Sequence, residues 1–392
     1  MHDAIVVGGG PAGATAAAFL VRQGRDVLLL DKSRFPRDKP CSEYLNPEMA
    51  AVLDRSGALG AIDAARPAML RGMCVTTPGG RQFMIDHASG ARALERRVLD
   101  DILLTHARAM GATVQTGVRV EDVLRTGATV TGVVAREDGQ RREYRATLVF
   151  GCDGPHSVIA QRLGLLHDTR WLRRMGFVLH MRDVPGLKDY GEFHLSRRYY
   201  VGVAPLGNGR ANVTLIAPAA DVTIWRGQPL PYVQRLLQAL PGLWPRLQQG
   251  HLEAPLRVIG PLARSARRAT VAGVVLIGDA AGFLDPFTGE GLYRAVRGAE
   301  LAGCLAARYA ARSDAAMLVP RLYEGARHAA FQHQRLVAAL MQVVIQRPWL
   351  IDRVAYQLSR KPMVARMLGD ITADRMPARR ALSPRFLAGL LF

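Results

Sequence analysis

Three glycine-rich segments, in fixed order and far apart, constrain this chain more than any other feature. They are Gly8-Gly9-Gly10-Pro11-Ala12-Gly13, Gly151-Cys152-Asp153-Gly154 and Gly278-Asp279-Ala280-Ala281-Gly282. The first follows directly on Asp3 to Val7, an apolar run rich in β-branched residues that predicts a short buried strand. Ala14 to Gln23 then reads as a helix built on small residues. Between a strand and a helix, each glycine has a physical task. Gly8 permits the tight turn, Gly10 lets the backbone approach a pyrophosphate, and Gly13 lets the helix pack closely on the strand. The first helical turn, with Pro11 and Ala12, offers free N–H groups and a positive dipole end to phosphates. A second strand, Val27 to Leu30, ends at Asp31 and Lys32. That acid stands about 20 residues past the glycines, where a carboxylate takes ribose hydroxyls.

The other two segments have the same context. Thr147 to Phe150 reads as a strand entering Gly151, and Val274 to Ile277 as one entering Gly278. Asp279 is placed to accept a bond from a sugar or ribityl hydroxyl. A helix is predicted to start near Gly289-Glu290-Gly291, with Leu292 next, and its free N–H groups suit negative charge on a reduced ring. Each segment is expected to contact a different part of one FAD.

On these residues the chain resembles the single-component FAD-dependent oxidoreductases of the para-hydroxybenzoate hydroxylase fold. Within them it is most similar to the geranylgeranyl-reductase-like branch, related to flavin-dependent monooxygenases and halogenases. Further residues support the resemblance: Lys39-Pro40-Cys41, Arg96-Arg97-Val98-Leu99-Asp100, and Asp285-Pro286-Phe287-Thr288-Gly289-Glu290-Gly291. It implies that Arg96, or its neighbour Arg97, reaches the FAD phosphates or ribose. It implies that Asp153 and Gly154 help hold the cofactor, that Asp279 binds its ribose or ribityl chain, and that Pro286 and Gly289 to Gly291 lie against the isoalloxazine ring. The expected fold class is α/β: a Rossmann-like FAD-binding domain, an inserted α+β substrate domain with a sheet over the flavin, and a helical C-terminal region.

The expected FAD-binding domain is discontinuous, over 1–70, 92–165 and 265–310. Residues 71–91 and 170–262 are assigned to the substrate domain, and 311–392 to the helical region. Leu70 to Asp86 alternates like a strand, as do Gly176 to Met181, Tyr199 to Ala204 and Ala211 to Ile216. In the C-terminal region, breaks are predicted at Pro320, Pro348, Pro362, Pro377 and Pro384.

The resemblance has one informative departure. The isoprenoid reductases carry Tyr-x-Trp-x-Phe-Pro over the flavin, and here the stretch is Tyr200-Val201-Gly202-Val203-Ala204-Pro205. Gly202 and Ala204 remove two large rings, which predicts a wider cavity beside Pro286 and Phe287, suited to a bulkier hydrophobic molecule. The expected reaction is therefore hydroxylation of an aromatic, polyketide or phenolic-lipid substrate by an FAD monooxygenase using NAD(P)H and O2. The alternative is a geranylgeranyl-reductase-like reduction of carbon–carbon double bonds in an isoprenoid or other lipid, with halogenation behind both. No second glycine fingerprint exists for a nicotinamide cofactor, so electrons come from transiently bound NAD(P)H or from a separate reductase. Cys41, Glu43 and Tyr44, in a loop richer in polar groups than the family's, are acid–base candidates against a reading as solvent-facing residues. Glu290 is another, against a reading as a complement to the helix dipole.

The net charge is +19, from 52 Lys and Arg against 33 Asp and Glu. The basic residues are spread along the chain without the aromatic interleaving of a single-strand binder, so no nucleic-acid partner is expected. A solvated surface competes with docking to an anionic membrane through the basic residues after Pro348. That tail is also read as helices covering the substrate domain or as a dimer contact. The four cysteines and the histidines show no metal-ligand spacing, so no metal is expected. The first strand starts almost at the N-terminus and no apolar run spans a bilayer, so a cytoplasmic or peripheral membrane location is expected.

Overall fold

A computed structural model describes residues 1–168, 171–225, 227–372 and 375–391. The strand His2–Val7 pairs in parallel with Val27–Asp31 on one side and Gln140–Gly151 on the other. The sheet continues to Thr113–Thr116 at one edge and through Val274–Leu276 to Thr270–Val271 at the other. Parallel strands covered on both faces need near-continuous apolar runs. Ala4 to Val7 and Val27 to Asp31 are indeed buried at every position. The helix Pro11–Val21 packs against both Arg96–Ala109 and Gly291–Tyr309. The antiparallel pair Arg119–Thr126 and Thr129–Glu137 is joined to the sheet through Gln140–Gly151.

A second, nine-stranded sheet stands beside this layer. Its centre is the antiparallel run Arg174–Arg182, Arg210–Pro218, Tyr200–Gly207 and Tyr190–Leu195. The Leu70 to Asp86 stretch, expected as one strand, is a hairpin of Ala68–Thr76 and Gln82–Ala93. The former pairs in parallel with Tyr190–Leu195. Side chains alternate across a strand, and the two faces have different covers. Val201, Val203, Val213 and Leu215 pack on Tyr232, Val233 and Leu237 of the helix Pro229–Gln238. Val75, Phe83, Tyr200 and Ile216 face the C-terminal helices instead.

Those helices are Ala315–Ile345, Pro348–Arg360, Pro362–Thr372 and Pro384–Leu391. Pro348, Pro362 and Pro384 each open a helix, where the missing N–H costs nothing. Pro377 precedes a short 3-10 turn, Ala378–Leu382. Pro320 corrects the predicted break, because the helix runs through it. A proline strands the carbonyl four residues back, and the Ala316 carbonyl is taken by the Gly273 N–H at 2.7 Å. The tail therefore covers the second sheet, one of the readings offered for it. No described helix is long and apolar enough to cross a membrane.

Candidate active site

Two adjoining cavities lie between the layers. The first, a cleft of about 1150 Å³ counting space open to solvent, is lined by Gly10, Pro11 and Ala12 of the glycine turn. Gly8 has φ 103°, and a Cβ there would stand 2.5 Å from the Cys152 carbonyl oxygen. A Cβ on Gly13 would stand 1.8 Å from the Gly8 oxygen. Strand, turn and helix thus meet backbone to backbone. Asp31 locks the turn, its Oδ2 accepting the Gly9 N–H and its Oδ1 the Ser33 N–H, both at 2.7 Å. Lys32 is exposed and lines neither cavity.

Positive charge gathers at this end of the cleft. Arg96 forks onto Asp100 through two bonds of 2.7 Å, and Arg37 reaches the same carboxylate at 3.1 Å. Burial opposes the Arg96 charge, but Asp100 and then Cys41 more than offset it, so its pKa is raised. The Lys39 ammonium stands 3.1 Å from where a Gly154 Cβ would be. Burial, then Arg96, push its pKa down against Asp279. Arg96, Arg37 and Lys39 together bring more positive charge to this end of the cleft than the carboxylates of Asp100 and Asp279 balance, and buried charges favour a partner of opposite sign. A pyrophosphate at the glycine turn would balance that charge, so the residues fit FAD.

Several other residues singled out in the sequence line the cleft, whereas Gly8, Gly13 and Asp31 do not. Gly154, Gly278, Asp279, Pro286, Gly289, Gly291 and Leu292 all line it, as does Cys41. Asp153 lies behind the wall. Its Oδ2 accepts the Val158 N–H at 2.7 Å, while its Oδ1 is buried without a partner. Burial pushes its pKa up.

Two acid–base candidates move elsewhere. Glu43 is buried, with φ 59°, and lines neither cavity. Its Oε1 accepts the Arg96 N–H at 3.0 Å, and its Oε2 takes Asn212 Nδ2 at 3.0 Å and His180 Nε2 at 2.9 Å. That bond raises the His180 pKa. With both oxygens engaged, Glu43 positions the loop and the start of the helix Arg96–Ala109. Glu290 is buried beside Arg294 and also lines neither cavity.

The second cavity, about 1420 Å³ by the same measure, is almost wholly apolar. Tyr44, Tyr200, Gly202, Ala204, Pro286 and Phe287 line it. It meets the first cleft at Ser42, Tyr44, Thr214, Ile216, Pro286 and Gly289, which line both. Its roof includes Val337, Met341, Leu358, Leu368 and Phe386 of the C-terminal helices, which no motif pointed to. The space expected at Gly202 is partly taken. Phe193 lies opposite Gly202 across the strand pair, and its ring would stand 3.3 Å from a Cβ there. That ring packs on Phe287 at 4.9 Å and on Tyr200 at 6.1 Å.

Sequence reasoning also missed a buried polar knot beside the cavity. Asp285 Oδ1 accepts from Tyr200 Oη at 2.6 Å, Gln342 Nε2 at 2.8 Å and the Phe287 N–H at 3.0 Å. Its Oδ2 accepts from Arg174 Nη1 at 2.9 Å. Asp285 is visible in the sequence only as part of a motif, and its side-chain partners are more than 50 residues away.

The cleft predicts a measurable effect of single charges. Lys39→Met is expected to weaken FAD retention about 10- to 100-fold, the loss of one charge-assisted bond. Titration of apoprotein with FAD checks this, and apoprotein stability should be unchanged or higher.

A parallel sheet with a glycine turn, a basic pocket and an adjoining apolar cavity defines a dinucleotide-binding flavoprotein. The chain belongs to the FAD binding domain family, whose model matches residues 1–334. It is 28% identical to the digeranylgeranylglycerophospholipid reductase of Methanosarcina mazei, over 82% of this chain and 79% of that one. It is 30% identical to the menaquinone reductase of Mycolicibacterium smegmatis, over 74% and 72%. Among solved structures, the myxobacterial chondrochloren halogenase CndH superposes with a TM-score of 0.80 at 22% identity, over 86% and 82%. That likeness is one of fold. The protein is an FAD-dependent oxidoreductase.

Proposed function

We propose that this protein reduces carbon–carbon double bonds in a hydrophobic, lipid-like substrate held in the apolar cavity. NAD(P)H or a separate reductase would supply the electrons. The observation that carries the reading is the cavity itself: almost wholly apolar, roofed by the tail helices and joined to the cofactor cleft. The curated relatives quoted above are named as reductases. The preference for hydroxylation rested on the space opened at Gly202, which Phe193 partly fills. The reductase therefore becomes the first reading and the monooxygenase the second.

When bound and reduced, FAD supplies a hydride. The apolar walls exclude water from the substrate. Pro286 and Gly289, which line both cavities, would present it to the cleft. The second hydrogen arrives as a proton, and we give that role to Cys41, which lines the cleft together with Arg96 and whose Sγ accepts the Glu43 N–H at 3.4 Å. Cys41→Ala is expected to slow reduction about 100-fold or more, the usual worth of a positioned acid, with FAD content unchanged. The reading itself is tested by mixing anaerobic, photoreduced enzyme with a polyprenyl lipid. Return of the oxidised flavin's visible absorbance supports it. A flavin that every prenyl lipid leaves reduced removes it.

We also propose that the tail rests on an anionic bilayer. Trp349 and Met363 are 70% and 77% exposed, and Arg353, Arg360 and Lys361 flank them in sequence. Exposed apolar anchors among basic residues suit a lipid headgroup region. Exchanging both anchors for serine should cut co-sedimentation with anionic vesicles several-fold without lowering stability. Unchanged sedimentation would remove the tail from the membrane contact.

A further inference from the structure

Two residues of the apolar cavity's wall each carry a buried polar atom without a partner. Tyr44 Oη and His87 Nδ1 are both buried and make no hydrogen bond, and both residues line the cavity. Their rings are neighbours, 6.3 Å between centroids and tilted by 49°. Several other polar side chains of this wall are engaged. Tyr200 donates to Asp285 at 2.6 Å, Thr214 Oγ1 to Asn212 Oδ1 at 2.7 Å, and Glu192 receives Arg246 at 2.9 Å through both oxygens. An unmade buried bond is costly, so a ligand that completes both recovers that cost on binding. Burial pushes the Tyr44 phenol up and the His87 imidazole down. Both are therefore neutral at physiological pH, and the pair carries no formal charge.

We infer that Tyr44 and His87 form a subsite for a neutral oxygen function of the substrate, a ketone, quinone or hydroxyl oxygen. Tyr44 also lines the cofactor cleft, so this oxygen lies near the bond that reacts. A carboxylate or phosphate is disfavoured there, since it would enter an apolar wall without a counter-charge. The inference rests on the reading of this cavity as the substrate site, and it narrows the substrate from prenyl chains at large to amphiphiles with an oxygen close to the reducible bond.

The test uses the full-length holoenzyme with its FAD oxidised, so that binding is measured without turnover. The probes are an alkyl tetralone and the alkyl tetralin of the same chain, which share a carbon skeleton and differ in one carbonyl oxygen. Calorimetric titration should give the tetralone at least about tenfold tighter binding, the worth of about one hydrogen bond. Tyr44→Phe and His87→Leu should each remove most of that preference while leaving tetralin affinity within about twofold. Equal binding of the two probes by the wild type overturns the subsite even if neither variant folds. Equal loss for both probes in a folded variant overturns it as well. A tetralone preference without double-bond reduction keeps the subsite and removes the reductase. Reduction without the preference does the reverse.

Discussion

Replacing Gly13 with alanine is expected to abolish FAD retention and to destabilise the protein by about 3 kcal/mol or more. Helix propensity alone favours alanine by about 0.5–1 kcal/mol, so the sign is decided by contact. The new Cβ would stand 1.8 Å from the Gly8 oxygen and 3.0 Å from the Gly8 carbonyl carbon. These are backbone atoms, which cannot rotate away as a side chain can. The helix would have to lift from the turn, carrying off the N–H groups that the phosphates need. Overpacking a tight core typically costs about 1–3 kcal/mol, and displacing backbone adds to it. Gly60 is the control. It lies in the helix Leu59–Ala64 and a Cβ there meets nothing within 4 Å, so Gly60→Ala should be neutral or slightly stabilising. Flavin absorbance per mole of protein and thermal unfolding read both variants. Normal FAD content in Gly13→Ala would show that the turn does not hold the phosphates.

Asp285→Ala should cost about 3–5 kcal/mol, the usual effect of stranding one member of a buried ion pair. The substitution leaves the Arg174 guanidinium without its carboxylate. It also leaves Tyr200 Oη and Gln342 Nε2 without an acceptor. Gln342 retains one bond to Arg174, at 3.0 Å. Arg174 and Tyr200 belong to the second sheet, Asp285 to the loop after the third glycine segment, and Gln342 to the long helix Ala315–Ile345. The knot therefore ties three parts of the chain. Its loss should loosen the helical roof before the sheet, so limited proteolysis should cut first after residue 345. Denaturation midpoints within about 1 kcal/mol of wild type would show that the roof is held by apolar packing alone.

What the sequence disclosed was local in character. The strand, the turn from Gly8 to Gly13 and Asp31 are set by neighbours within about 25 residues, so their pattern could be recognised before any contact was known. Glu43 shows the opposite case. In sequence it sits in a polar loop and reads as an acid or a solvated group. Its burial is imposed by Asn212 and His180, more than 130 residues away. The strand that holds Gly202 is legible in the sequence, but its cross-strand neighbour Phe193 depends on register, which no single-strand pattern contains. Pro320 does not break its helix for a similarly non-local reason, since the donor that satisfies the freed Ala316 carbonyl comes from Gly273. In the tail, Pro348, Pro362 and Pro384 mark helix starts locally. Which surface those helices cover is a matter of packing against Val75, Phe83 and Tyr200.

The central claim, reduction of a double bond in the apolar cavity, is tested most directly by product mass. Photoreduced enzyme is incubated with polyprenyl and keto-bearing prenyl lipids, with and without oxygen, and the products are weighed. A product heavier by two hydrogens, formed with or without air, is the expected result. A product heavier by one oxygen atom, formed only in air, would contradict it and restore hydroxylation.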